Sequence, residues 1–185
     1  MEVNFKHTNP EAVEPIRIEQ VFAEKPAGGL VANPSFDAPA STAVGLNSDG
    51  IYAPIKAYRL VKAVAAIDTS IEIAKGSGIE VGDIIAKGML GVACTAVDKT
   101  TNTTKDVVTV TLGVVIANGT VLYQAKEASA SAAEPIYAPE YVIGNGVVAN
   151  EGDQAVRLIN GANLRKETAN ISSEVAALLP NIKLV

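Results

Sequence analysis

The sequence offers few side chains of the kinds that perform catalysis, and none in a familiar spacing. His7 is the only histidine and Cys94 the only cysteine. A single histidine near the start excludes a Ser-His-Asp triad on a well-built framework and any metal site made of several imidazoles. Cys94 lies in the apolar run 89–97, where we predict one strand over residues 91–97 with Cys94 as a small buried residue in it. No acid lies in the apolar setting that raises the pKa of a catalytic carboxyl, so we predict that the protein is not an enzyme.

Two segments have the composition of ligand-binding loops but lack the necessary spacing. Residues 76–78 are Gly-Ser-Gly, yet no third glycine opens a helix after them, so they predict a turn and not a dinucleotide site. Residues 98–106 form a polar loop with an acid at each end, but the ligand spacing and terminal glutamate of a calcium loop are missing. We therefore predict no cofactor and no metal.

The composition argues against two kinds of partner, nucleic acids and membranes. The chain has 185 residues, 48% of them hydrophobic, and a net charge of −5. A binder of nucleic acid draws its affinity from Lys and Arg, so this acidic balance argues against nucleic acid. No stretch approaches the ~20 apolar residues of a membrane span, and the first four residues do not begin a secretory signal. We expect a soluble product of the cytosol with one core of ordinary size and no membrane contact.

The elements that must position any site are mainly strands. Residues 58–125 carry the strongest β pattern and contain one phrase twice, Ile-Glu-Val-Gly-Asp-Ile-Ile at 79–85 and Ile-Ala-Asn-Gly-Thr-Val-Leu at 116–122. In each copy we expect the glycine to adopt a positive φ and a new strand to start after the Asp or Thr. Two such units predict a small β-barrel or β-sandwich.

The last third of the chain adds an extended segment and a helix. Two prolines within 135–143 predict a strand at the edge of a sheet. Apolar residues recur at helical spacing within 170–179, and Pro180 ends that helix. Residues 182–185 then predict a last strand. The predicted fold is therefore mainly β, with one C-terminal α-helix and an extended N-terminal arm.

The predicted arm spans residues 1–54, and the core domain spans residues 55–185. The arm holds six of the nine prolines, which exclude long strands, although residues 16–22 alternate as one short strand would. Its apolar side chains need a surface on which to pack, either on this chain's own domain or on another subunit. The residues that we predict to bind a partner are Ile16, Ile18, Phe22, Leu30 and Phe36.

Several phrases of the core resemble the capsid decoration and head-fibre proteins of tailed bacteriophages. They are the strand entries at 82–85 and 119–122, the Ile-Tyr-Ala segment at 136–138, the strand and loop at 157–164, and the helix end at 178–182. The resemblance covers roughly residues 58–185. It implies a structural virion protein that forms trimers or other homo-oligomers.

The same resemblance implies a location and a partner. Members of that class sit on the outer surface of the filled capsid and stabilise it, and an N-terminal arm commonly reaches onto the capsid lattice. Residues 1 to about 40 would then attach to the major capsid protein, after assembly in the bacterial cytoplasm. Oligomers that cross capsomer boundaries stabilise the capsid by binding its assembled form.

The same strand entries are also consistent with a second class of protein. Paired Gly-Asp and Gly-Thr entries also occur in non-catalytic β-barrel modules, either sugar-binding modules or carriers of the barrel-sandwich type. A carrier presents one lysine at an exposed hairpin tip, and Lys87, directly before Gly88, is the residue in question. The acidic-and-methionine flanks usual in carriers are missing.

Overall fold

A computed structural model describes residues 15–185, and residues 1–14, with His7, lie outside the described part. Within the described residues the chain forms fifteen strands and one short helix, so the mainly β fold with a single C-terminal helix is confirmed. The elements are β1 (Ile18–Glu24), β2 (Gly29–Val31), β3 (Ala43–Leu46), β4 (Tyr52–Pro54), β5 (Ala57–Arg59), β6 (Ser70–Ala74), β7 (Ile84–Lys87), β8 (Leu90–Ala93), β9 (Ala96–Asp98), β10 (Lys105–Thr109), β11 (Val121–Ala125), β12 (Pro139–Ile143), β13 (Gln154–Val156), β14 (Leu158–Leu164), α1 (Ser173–Ala177) and β15 (Ile182–Leu184).

The largest sheet draws its strands from both ends of the chain, and we call it the terminal lobe. Its order is β1-β14-β12-β3-β4-β2-β13, and β15 also pairs with β14. Only Arg157 separates β13, the last strand of this order, from β14, the second strand, so the sheet curls on itself. Its interior holds Val31, Val44 and Leu158, all 0% exposed.

The central lobe, residues 57–125, contains two smaller sheets, β6-β10-β9 and β5-β11-β7-β8. Their shared core is almost wholly aliphatic, as a chain without Trp requires, and includes Ile73, Ile85 and Leu122. A third apolar cluster contains residues of both lobes, such as Ala86 of β7, Ile159 of β14 and Val175 of α1. This cluster packs the lobes together.

The repeated phrase of the sequence is a turn unit of six residues that leads into a strand. Gly82 and Gly119 have φ of 94° and 80°, and β7 and β11 begin two residues later, as predicted. The two strands are antiparallel neighbours. In each copy the N–H of the fifth residue donates to the carbonyl of the second, at 3.1 Å in the Asp83 copy and 3.3 Å in the Thr120 copy.

The structure contains two further copies that lack the glycine. In residues 38–43 the same hydrogen bond joins Thr42 to Pro39, and Ser41 takes the positive φ of 73°. In residues 64–69 the bond joins Asp68 to Ala65. The fourth residue is Ser41 in the first of these copies and Ile67 in the second, so a search for glycine finds only the copies at 79–84 and 116–121.

The segment from 15 to 54 does not stand apart from the core, which corrects the predicted division at residue 54. It contributes β1 to β4, and each of these strands pairs within the terminal lobe. The prolines allow this because they lie outside the strands or at their ends: Pro26 lies between β1 and β2, Pro34 and Pro39 lie between β2 and β3, and Pro54 ends β4. Residues 1–14 of the predicted arm lie outside the described residues.

Two other predictions need correction. Strand β12, expected at an edge, lies between β14 and β3, because Pro139 occupies its first position, where a missing N–H is tolerated. The run expected as one strand from 91 to 97 is divided at Cys94, so that β8 and β9 join different sheets. Cys94 itself is buried, as predicted.

The C-terminal helix is shorter than the predicted 170–179. Helix α1 covers Ser173–Ala177, and the Ser172 side chain accepts the N–H of Val175 at 3.1 Å as its N-cap. The predicted last strand is present as β15, parallel to β14.

Candidate functional site

Strand β1 leaves one backbone edge without a neighbour in the described part of the chain. It pairs with β14 along its whole length, from Ile18 opposite Leu164 to Glu24 opposite Ile159, and with no other described strand. Six of its seven residues are exposed. An exposed sheet edge with free N–H and C=O groups is a template on which another chain can add a strand.

The side chains of this edge are apolar at its centre and charged toward its ends. Phe22 is 57% exposed, and Ile16, just before the strand, is 60% exposed. Glu19 pairs with Arg165 at 2.8 Å and Glu24 pairs with Arg157 at 2.7 Å. These surface pairs contribute little free energy, but they orient β1 on β14 while its apolar centre faces solvent.

The five residues predicted to bind a partner do not share one environment. Ile16, Phe22 and Leu30 are exposed on the surface, Leu30 being part of β2. Ile18 is half-buried and packs against the cluster that joins the lobes. Phe36 is 8% exposed and belongs to the core of the terminal lobe. Phe36 is therefore corrected from a partner-binding residue to a core residue, because its ring is buried within its own chain.

An open apolar groove of about 770 Å³ begins beside the entry to β1. Ile16 and Ile18 line one side, and Val147 and Val148 line another. The groove shares four lining residues with a smaller cavity between the lobes: Arg17, Asp37, Pro39 and Gly76. Apolar and charged surfaces are thus continuous on the face from which β1 begins.

A different polar site lies inside the molecule, around Asp83 of the first turn unit. One oxygen of this carboxylate accepts from Lys56 Nζ at 2.9 Å, Tyr58 Oη at 3.1 Å and the N–H of Glu80 at 2.9 Å. The other oxygen accepts from Gln124 Nε2 at 3.0 Å. Burial, together with the negative charge of Asp83, raises the pKa of Tyr58 well above its usual value.

This cluster, which we call the Asp83 cluster, lines a cavity of about 420 Å³. Its carboxylate is already bound by four donors, and its lysine is 8% exposed and paired. A buried network in which the members satisfy one another rigidifies a fold. Sequence reasoning identified Asp83 only as a turn residue, because Lys56 lies 27 positions away and has no local pattern that indicates the pairing.

Lys87, the lysine considered for a carrier, is held by the helix. Its ammonium pairs with the carboxylate of Glu174, which also accepts the N–H of Gly88 at 3.3 Å. Burial would raise the pKa of Glu174, but the hydrogen bond and charge of Lys87 outweigh it and lower that pKa. A swinging lysine needs a free side chain, and this one is fixed between β7 and α1.

A second exposed apolar surface, which we call the apolar tip, lies in the central lobe. It consists of the loops 61–67 and 113–117, and it includes Ile67 at 87% and Val115 at 80% exposure. Val64 and Ile116 hold the loops together by two backbone hydrogen bonds of 2.9 Å. Large apolar side chains exposed on two paired loops make this tip a candidate protein contact surface.

Comparison with protein-family models, curated proteins and solved structures finds no match to this chain. Residues 15–185 contain no helix that is both long and apolar enough to cross a membrane. The same residues hold no group of three or more His, Cys, Asp or Glu side chains placed to bind a metal ion.

Proposed function

We propose that this chain is a structural virion protein that decorates the outer surface of a tailed-phage capsid, or forms the base of a head fibre there, and binds the major capsid protein. The observation that carries the proposal is the edge of β1, which no strand of residues 15–185 covers and at whose centre Phe22 is exposed. The phrases of the core that resemble decoration and head-fibre proteins supply the identity of the partner.

The physical basis is strand addition. A strand of the capsid protein would pair with the outer edge of β1, while the ring of Phe22 enters a pocket of the partner. Full burial of a phenylalanine side chain contributes about 1.5–3 kcal/mol. Because a homo-oligomer presents several such edges to one lattice, binding of the first copy raises the effective concentration of the others.

The apolar tip supports the homo-oligomer, which we propose to be a trimer. Its two loops lie in the central lobe, whereas β1 lies in the terminal lobe. Self-association through one lobe leaves the other lobe free for the capsid. Light scattering of the purified chain measures the number of copies.

Substitution of Phe22 tests the attachment surface. We expect Phe22→Asp to abolish co-sedimentation with capsids while leaving the fold intact, since the side chain is exposed in the isolated chain. Met89→Asp is the matched control, because Met89 is 64% exposed at the turn between β7 and β8. Equal co-sedimentation of the Phe22 variant and the wild type would contradict the proposal.

Truncation tests the contribution of the first residues. Removal of residues 1–14 takes away no described strand, whereas removal of residues 1–36 would take away β1, β2 and the buried Phe36. We therefore expect a chain that starts at residue 15 to fold and to bind capsids more weakly than the full chain. If the truncated chain binds as tightly as the full chain, residues 1–14 do not contribute and attachment depends on β1.

A further inference from the structure

A small cavity of about 180 Å³ lies between the two lobes, and three cationic side chains, two hydroxyls and one acid are among the groups that line it. Arg59 and Ser77 of the central lobe line it, and so does Thr168 of the terminal lobe. Arg17 lines it at the side that opens to the apolar groove. This cavity belongs neither to the Asp83 cluster nor to the edge of β1.

Arg59 forms no ion pair with a described carboxylate. Its guanidinium donates to the carbonyls of Gly119 at 3.0 Å and Ala169 at 2.6 Å, and it takes part in none of the ion pairs of residues 15–185. Burial and the nearby charge of Arg17 lower the pKa of Arg59 and outweigh the charge of Glu167, which raises it. A partly buried cation in this setting gains most from an anion.

Ser77 supplies a second, independent observation. Its Oγ is the one buried side-chain oxygen or nitrogen of the described residues without a hydrogen-bond partner. A buried hydroxyl without a partner destabilises the fold, so a ligand that accepts a hydrogen bond from it would be favoured here. Lys75, which also lines the cavity, is neutralised by Asp106. The one acid in the lining, Asp37, already accepts the N–H of Ala149 at 2.8 Å.

We propose that this cavity binds a carboxylate carried by a polypeptide, with Arg59 and Ser77 as its donors. A carboxylate accepts a guanidinium and a hydroxyl at once and would neutralise the charge of Arg59. The adjoining apolar groove would take the neighbouring apolar side chains of the same extended segment. The inference rests on the proposed function only in that it describes the partner segment, an acidic residue flanked by apolar ones.

NMR titration of the full chain tests this site with defined probes. The probes are sodium acetate, a capped Val-Ala-Glu-Ala-Val peptide and its Gln counterpart, with sodium chloride at equal ionic strength as the reference. We expect saturable shifts of the Ser77 and Arg59 signals, with the Glu peptide binding at least about tenfold more tightly than acetate and than the Gln peptide. Equal affinity of peptide and acetate would overturn the polypeptide source, and absence of saturation would overturn the site.

Two variants and a control complete the test. Arg59→Gln should abolish saturable binding, while Arg157→Gln, an exposed arginine paired with Glu24, should leave it unchanged. If Arg59→Gln fails to fold, Ser77→Ala still tests the site, because it removes a hydroxyl that has no partner within the chain. We expect this variant to fold and to bind the peptide several-fold more weakly. Wild-type affinity in Ser77→Ala would contradict the role of that hydroxyl. Phe22→Asp should bind the peptide normally, so failure of capsid attachment and failure of this cavity are distinguishable.

Discussion

The Asp83 cluster and the small cavity lined by Arg59, which we call the Arg59 cavity, differ in whether the charged group has an ion-pair partner within its own chain. Asp83 receives four donors, among them the buried Lys56, all from its own chain. Arg59 reaches two carbonyls and no described carboxylate. The first site is complete, because each charged group has its partner, and removal of one partner would leave a buried charge unpaired. The second site is incomplete and gains free energy when another molecule supplies an anion.

The strands of the terminal lobe show the same difference in their backbone hydrogen bonds. Strand β12 has a neighbour on each side, β14 and β3, whereas β1 has β14 alone among the described strands. A flanked strand has its hydrogen bonds satisfied within the sheet, and an edge strand offers half of them to a partner. Complete sites hold this protein together, and incomplete sites are where we expect it to bind others.

The largest expected effect comes from breaking the complete site. Asp83→Asn leaves the ammonium of Lys56 buried without its counter-ion, which typically costs about 3–5 kcal/mol. At roughly 2–4 °C per kcal/mol, the melting temperature should fall by about 6–20 °C, as measured by circular dichroism.

The matched control for this substitution is Asp68→Asn. Asp68 is the fifth residue of its turn unit, as Asp83 is, but the contact of its carboxylate is the local N–H of Ala65 at 2.7 Å. We expect this change to cost at most about 1 kcal/mol. Similar losses in the two variants would show that the turn, and not the buried pair, provides the stability.

A smaller effect should appear when pH titrates the pair of Lys87 and Glu174. Because the folded pKa of Glu174 is lowered, its contribution to the free energy of unfolding is present above the ordinary glutamate pKa of about 4.3 and is lost as pH falls through the folded pKa. Urea midpoints measured from pH 7 to pH 3 should fall less steeply in Glu174→Gln than in the wild type. The exposed Glu151→Gln serves as the reference, and parallel curves for Glu174→Gln and the wild type would contradict the assignment.

The smallest expected effect on the free energy of unfolding comes from Ser77→Ala, a substitution at the incomplete site. Removing a buried hydroxyl without a partner should leave the free energy of unfolding unchanged or raise it by up to about 1 kcal/mol. Tyr58→Phe removes a hydroxyl that donates to Asp83 at 3.1 Å and should lower the free energy of unfolding by about 1 kcal/mol. Denaturant titration compares the two, and a loss in Ser77→Ala as large as in Tyr58→Phe would show that its hydroxyl does have a partner.

The sequence predicted those parts of the fold that depend on local chemistry. Gly82 and Gly119 were identifiable because a positive φ favours glycine, and β7 and β11 because each starts directly after one of these turns. The copy with Ser41 at positive φ escaped the same reasoning, since nothing in its residue type indicates that conformation.

The sites depended on contacts that sequence spacing does not contain. Lys56 and Asp83 meet across 27 residues, and the Arg59 cavity gathers residues from positions 17 to 170. Phe22 and Phe36 are the same residue type in the same proline-rich segment, yet one ring is exposed and the other is core. The difference in burial arises only from the pairing of β1 with β14 and from the closure of the terminal lobe.

Hydrogen–deuterium exchange of the chain, free and bound to capsids, tests most directly whether a partner adds to β1. Amides on an unpaired edge exchange quickly, whereas those within a flanked strand are protected. We predict that binding slows exchange in β1 and leaves β12, already flanked on both sides, unchanged. Unaltered exchange throughout β1 in a chain that is demonstrably bound would contradict the account.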